Sequence, residues 1–145
     1  MNITDVRLKI IDHSAERLLA FCSITINGVF VVRDMKLIAG PSGPFVAMPS
    51  RKLCAHCREC GHKNPFKASF CNQCGARLPE GVPPRDADGR LRYYADIAHP
   101  INAACREAIQ HRVVQEYEAE VVRAREPGYV SRYDAIGDEE HRSRR

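Results

Sequence analysis

Five of the seven cysteines fall in one stretch, CAHCRECGHKNPFKASFCNQCG, from Cys54 to Gly75. Within it Cys57-Arg-Glu-Cys60 and Cys71-Asn-Gln-Cys74 are two CxxC turns, each followed by a glycine, Gly61 and Gly75. A CxxC turn aims two sulfurs at one point, the trailing glycine supplies the positive φ that so tight a turn demands, and two turns complete a tetrahedron around Zn²⁺. Four thiolates leave no coordination position for water, so the expected ion, one per chain, is structural rather than catalytic. Cys54-Ala-His-Cys57 also reads CxxC, which makes Cys54 a rival to Cys60. Cys57 with Cys60 is preferred because both chosen turns then carry the trailing glycine. The odd cysteine count excludes a framework made only of internal disulfides. A redox switch and an accidental thiol cluster are the plainer alternatives, but paired CxxC turns at this spacing favour zinc. Between the turns, His62–Phe70 offers only Phe66 and Phe70 as large apolar groups. Such a segment cannot fold on its own core, and metal binding would supply the missing free energy, on the order of 10 kcal/mol or more.

Other reactive side chains do not assemble into chemistry. His99 has Asp96 near it in sequence but no nucleophile or second titrating partner, so it reads as a packed histidine and no enzyme is expected. Cys22 and Cys105 lie on apolar stripes and read as small hydrophobic groups. Glu116, Glu118 and Glu120 read as a solvated helix face. Charge is distributed unevenly along the 145 residues, whose net charge is +4. Arg51–Arg92 holds nine basic and four acidic residues, while Tyr93–Arg145 holds eight and ten. The basic excess therefore sits in and around the cysteine segment, although a zinc tetrathiolate carries −2 and lowers it. A hydrophobic content of 44% is ordinary for a globular chain and excludes both a disordered chain and a polycation. No apolar run approaches the roughly 18 residues of a membrane helix, and the start MNITDVRLK lacks a secretory leader, so the expectation is a cytoplasmic protein with no membrane association.

The elements that must carry these residues follow from periodicity. Val6, Leu8 and Ile10 alternate with Arg7 and Lys9 as in a half-buried strand. Leu18–Ile26 and Val29–Ile38 flank Asn27-Gly28, a two-residue hairpin signal. Pairing Ile26 with Val29 places Leu18, Ala20, Cys22, Ile24 and Ile26 on one face with Val29, Val31, Arg33, Met35 and Leu37. Arg33 is the anomaly on that face; pairing with Asp34, pairing with a helix glutamate and emergence at a dimer seam all stay open. The opposite face carries Leu19, Phe21, Phe30, Val32 and Ile38, so a helix or a second subunit should cover it. A short strand is expected at Phe45–Met48, another around Leu91–Ile97, and then a helix from Pro100 or Asn102. Ile101, Cys105, Ile109, Val113, Tyr117 and Val121 form its apolar stripe, Asn102 its N-cap and Pro127-Gly128 its stop. The expected fold is α+β: a small antiparallel β-sheet with one long C-terminal helix, interrupted by a zinc-binding insert. The expected organisation is a discontinuous core of 1–52 plus 91–126, an insert of 53–78, a linker of 79–90 and a flexible tail of 127–145.

Arg58 to Leu78 resembles the short zinc-ribbon family with the pattern CxxCG, then NPxxAxFCxxCG, matched by Asn64, Pro65, Ala68, Phe70 and Gly75. ITDVRL at Ile3, FCSITI at Phe21, FVV at Phe30, FVAMPSRK at Phe45 and DIAHPIN at Asp96 together resemble the stage V sporulation protein G family of bacterial septation regulators. That likeness covers Ile3–Lys52 and Tyr94 to about Glu118; where the family has a short hairpin loop, this chain carries the ribbon. The likeness implies homodimerisation through strands and nucleic-acid binding, DNA or RNA, in the regulation of septation and sporulation. The family's basic pair maps onto Arg51 and Lys52, whose charges at a strand end can reach phosphates. Arg58, Lys63, Lys67 and Arg77 would extend that surface. The rival reading is a ribbon that captures a protein partner on a scaffold that touches no nucleic acid.

Overall fold

Alternating apolar residues near the N-terminus form strand β1 (Ile3–Ile10) in a computed structural model whose described residues are 1–12 and 16–135. Strands β2 (Leu18–Ile26), β3 (Phe30–Gly40) and β4 (Gly43–Ala47) follow, and the four make an antiparallel sheet in the order β1-β2-β3-β4. Asn27 and Gly28 both take positive φ, 52° and 69°, and the Val29 N–H donates to the Ile26 carbonyl at 3.1 Å. The turn is the expected one, but the ladder is not. Ile26 faces Phe30 rather than Val29, so the register differs by one residue at the tip.

A one-residue slip would turn every later side chain of β3 to the wrong face. A bulge corrects it. The ladder passes from Ile24↔Val32 to Cys22↔Met35, which leaves one extra residue on β3, and Asp34 sits there with φ 58°. Met35 and Leu37 thereby return to the core face, as read from the sequence, while Val32 replaces Val31 near the tip. Arg33 is released from the core face, and its guanidinium lies 5.3 Å from the centre of the Tyr133 ring.

Helix α1 (Ala103–Arg123) starts where the Asn102 side chain accepts the Cys105 N–H at 2.8 Å, and it packs on β1 and β4. Ile109 and Val113 enter the core formed by Val6, Leu8, Ala20, Cys22, Ile24, Met35, Leu37 and Val46. Cys105, Val114 and Tyr117 pack at its margin, whereas Ile101, ahead of the cap, is 91% exposed and lies outside the stripe. Burial pushes the Cys22 thiol up to about 12, which suits an inert apolar group.

Two sequence expectations about the C-terminal part are corrected. The glutamate run is not one solvated face: residues 116 and 120 share a side of the helix and 118 does not. Glu118 is exposed, but Glu120 is only 5% exposed, pairs with Arg123 and accepts the Tyr129 hydroxyl. Burial alone would raise Glu116, but hydrogen bonds from Arg123 and Arg112 outweigh it and hold its carboxyl below the usual range. Nor is the chain beyond Pro127 a free tail. Ser131 Oγ donates to the Leu8 carbonyl at 2.6 Å, Lys9 pairs with Asp134 at 3.0 Å, and the buried Tyr133 hydroxyl donates to Asp34 Oδ1 at 3.1 Å. Because β2 lies between β1 and β3, this segment crosses the sheet on the face opposite α1, where Ser23 is buried. It covers part of the face for which a helix or a second subunit was expected. Residues 136–145, read as unstructured, lie outside the described residues.

The chain divides into two compact units, Met1–Pro49 with the chain from Ala98 onward, and Ser50–Ile97. The boundaries differ from the sequence reading, because Ser50–Lys52 and residues 91–97 group with the cysteine segment. The cause is pairing: β5 (Ser50–Lys52) is antiparallel to β8 (Tyr94–Asp96), and β6 (Cys54–His56) to β7 (Lys63–Pro65). Residues 84–90, read as part of the linker, close a turn with Leu91, in which Asp86 Oδ1 accepts the N–H groups of Asp88 and Arg90, each at 2.9 Å. Among the described residues no helix is long and apolar enough to cross a membrane.

Leu37→Ala removes a fully buried side chain from the sheet and is expected to cost about 2–5 kcal/mol. It should lower the urea midpoint without altering the slope. Val122→Ala, on the exposed side of α1, should stay within about 0.5 kcal/mol, and equal losses in the two variants would contradict this core.

Candidate metal centre

Each CxxC turn of the second unit folds by the same local rules. In the first, the Gly61 N–H donates to the Cys57 carbonyl and the Cys57 N–H to the His62 carbonyl, both at 2.8 Å. In the second, the Gly75 N–H donates to the Cys71 carbonyl at 3.0 Å and the Cys71 N–H to the Ala76 carbonyl at 2.8 Å. Gly61 and Gly75 share a φ of 76°, a conformation that a side chain would strain. Sequence spacing alone thus produces two copies of one knuckle.

The knuckles bring Cys57, Cys60, Cys71 and Cys74 together, with their sulfurs all within 4.8 Å of one another. Cys57 to Cys74 is 3.7 Å and Cys60 to Cys71 is 3.5 Å. A tetrahedron of thiolates about 2.3 Å from a metal ion has edges of about 3.8 Å, so the spacing fits one four-coordinate ion. Cys54 stands apart on β6, exposed, with its sulfur 3.5 Å from the Lys52 carbonyl. The cluster of four thus contains Cys60 and not Cys54.

Electrostatics within the cluster are uneven. The Cys74 backbone N–H, followed by the Asn64 side chain and the Gln73 N–H, overcomes desolvation and brings Cys71 down to about 5. Cys74 receives a lowering contribution from the Ala76 N–H, yet desolvation and its sulfur neighbours push it up to about 12; Cys60 is also raised. Crowded thiols do not all ionise side by side, because each anion opposes the next. A central cation held by Cys57, Cys60, Cys71 and Cys74 would remove that opposition and favour all four thiolates.

One supporting residue was missed as such from the sequence, where Asn64 registered only as a turn signal and a motif match. Asn64 is 1% exposed, and its amide donates to Cys71 Sγ at 3.4 Å and to the His62 carbonyl at 3.2 Å. Its Oδ1 accepts the Asn72 N–H at 2.9 Å. One amide therefore joins the two knuckles. No periodicity announces a buried amide of this kind, since its partners are set by the fold.

The basic residues singled out from the sequence all lie exposed in this unit. Arg51 and Lys52 occupy β5 opposite Ala95 and Tyr94, so alternation directs them to opposite faces of the strand pair. Arg58 belongs to the first knuckle, Lys63 begins β7, and Arg77 pairs by a bridge with Phe70. Lys67 Nζ lies 4.5 Å from the centre of the Tyr93 ring, a contact with no sequence signal.

Comparison with known proteins adds an independent finding. The SpoVG family model matches residues 1–119, a span that encloses the cysteine segment. The septation protein SpoVG of Agathobacter rectalis is 35% identical over 121 residues, covering 83% of this chain and 97% of the relative. That of Caldicellulosiruptor saccharolyticus is 34% identical over 119 residues, covering 82% and 93%. That of Clostridium perfringens is 38% identical over 119 residues, covering 81% and 90%.

Asn64→Ala should weaken metal binding about 10–100-fold, as loss of an orienting hydrogen bond does. Competition against a chromophoric chelator reads this directly. Cys71→Ser should lose stoichiometric metal and Cys54→Ser should retain it; the reverse order would mean a different ligand set.

Proposed function

The chain belongs to the SpoVG family of septation proteins, and from that premise we propose that it is a dimeric regulator that binds nucleic acid through its Ser50–Ile97 unit. One structural zinc ion would be held by Cys57, Cys60, Cys71 and Cys74. The observation that carries the reading is the Arg51–Lys52 pair, exposed on adjacent positions of a short strand and directed to its two faces. Phosphates on either side of that strand come within reach of a cation. Arg58, Lys63, Lys67 and Arg77 enlarge the field. Between Arg51 and Arg92 the excess of +5 falls to +3 once a zinc tetrathiolate, at −2, is counted, and so remains favourable to a polyanion.

Zinc is the ion of choice for four thiolates in a closed tetrahedral site, because it needs no redox change and tolerates soft sulfur ligands. Held by Cys57, Cys60, Cys71 and Cys74, it would act as a cross-link rather than a reagent. Dimerisation is supported by the sheet, in which β1 and β4 are edge strands among the described residues. Phe45, on β4, is partly exposed and offers apolar contact beside that edge.

Arg51→Ala/Lys52→Ala should lower affinity for DNA or RNA at least about tenfold in a gel-shift titration and flatten the salt dependence by about two counterions. Unchanged binding, or partner capture that survives nuclease, would favour the protein-docking reading. Light scattering should give a mass near twice the 16.3 kDa of one chain, and a monomer mass at working concentration would reject the dimer.

A further inference from the structure

Beside the basic pair lies a small cleft whose lining includes Lys52, Lys67, Tyr93, Tyr94, Phe66 and Pro65. Its volume is about 70 Å³, well below the roughly 300 Å³ at which pockets for small metabolites begin. It cannot enclose a cofactor, yet its rim is aromatic and cationic at once. Lys52 and Tyr94 are cross-strand partners on β5 and β8, so their side chains leave the same face. On the other flank Lys67 lies over the Tyr93 ring. Tyr94 is 56% exposed, and the lining contains no aspartate or glutamate.

These observations select a ligand chemistry. A flat ring can stack on Tyr94 while anionic groups on either side of it meet the two ammonium groups. An unpaired nucleobase with its flanking phosphates has that layout. Paired bases do not, because the faces of their rings are already stacked inside the duplex. We propose that this cleft is a stacking platform for one unpaired base, so that the second unit prefers single-stranded nucleic acid. The proposal rests on the nucleic-acid reading given above and specifies which form of the polymer the unit takes.

The test uses the zinc-loaded full chain with fluorescein-labelled oligothymidine, oligouridine and a hairpin duplex, followed by anisotropy. The two single strands should bind at least about tenfold more tightly than the duplex. Tyr94→Ala should lose about tenfold on the single strands and nothing on the duplex, and Tyr94→Phe, which keeps the ring, should bind as the parent does. The chain contains no tryptophan, so Tyr94→Trp provides a single reporter whose emission the single strands should quench and the duplex should not. Equal affinity for both forms, or full single-strand binding by Tyr94→Ala, overturns the platform. If the duplex is bound through Arg51 and Lys52 while Tyr94→Ala changes nothing, the platform alone falls. If no nucleic acid is bound, the broader reading falls with it.

Discussion

Four sulfurs packed within 4.8 Å of one another are the constraint on which the second unit depends. The buried side chains there are Cys57, Cys71, Pro83 and Asn64, and Asn64 binds Cys71. With so little apolar surface removed from water, the hydrophobic effect cannot offset the entropy of ordering Ser50–Ile97. A tetrathiolate metal site would make the connection that a core makes elsewhere. The Met1–Pro49 and post-Ala98 unit is held differently, by ten buried apolar residues between sheet and helix. With metal bound, one chain would thus use two distinct means of stabilisation, divided at Pro49 and Ala98.

This division explains what the sequence disclosed. Local signals were readable: the paired CxxC turns with their glycines, the Asn102 cap, the Ile109 and Val113 stripe, and the Asn27-Gly28 turn each depend on residues a few positions apart. The register of β3 was not, because the slip at the turn is compensated by a bulge at Asp34. The Asp34 backbone N–H donates to a tyrosine hydroxyl 99 residues away. Glu120 illustrates the same limit. Alternating glutamates look solvated in a sequence, and only Arg123 and Tyr129 make burial of one of them acceptable. The family likeness was carried by strand and loop motifs, whereas the Tyr94 cleft arises from pairing between segments on either side of the ribbon.

The cations in the second unit gain their arrangement from short strands rather than from a helix. On β5, alternation separates Arg51 from Lys52, and the facing strand supplies an aromatic ring to one of them only. Neighbouring positions with the same charge are therefore not equivalent: the Arg51 guanidinium faces only Ala95, and the Lys52 ammonium stands beside a ring. In the proposed complex such pairing would make recognition sensitive to the form of a polyanion as well as to its charge.

The bond from Tyr133 to Asp34 has a further consequence, which concerns the order of events during synthesis. A ribosome releases β1, β2 and β3 first, and the hairpin at Asn27-Gly28 can close as soon as it emerges. Its correct ladder past Ile24, however, includes the strained Asp34 position, whose partner emerges 99 residues later. At elongation rates of about 5–20 residues per second, the nascent sheet would wait on the order of several seconds for that contact. During that interval the entire cysteine segment is synthesised, after the four strands of the sheet and before the helix that covers them. Metal capture could then precede completion of the first unit, and the sequence distance bridged by Tyr133 makes docking of its segment on the sheet the late, non-local step of folding.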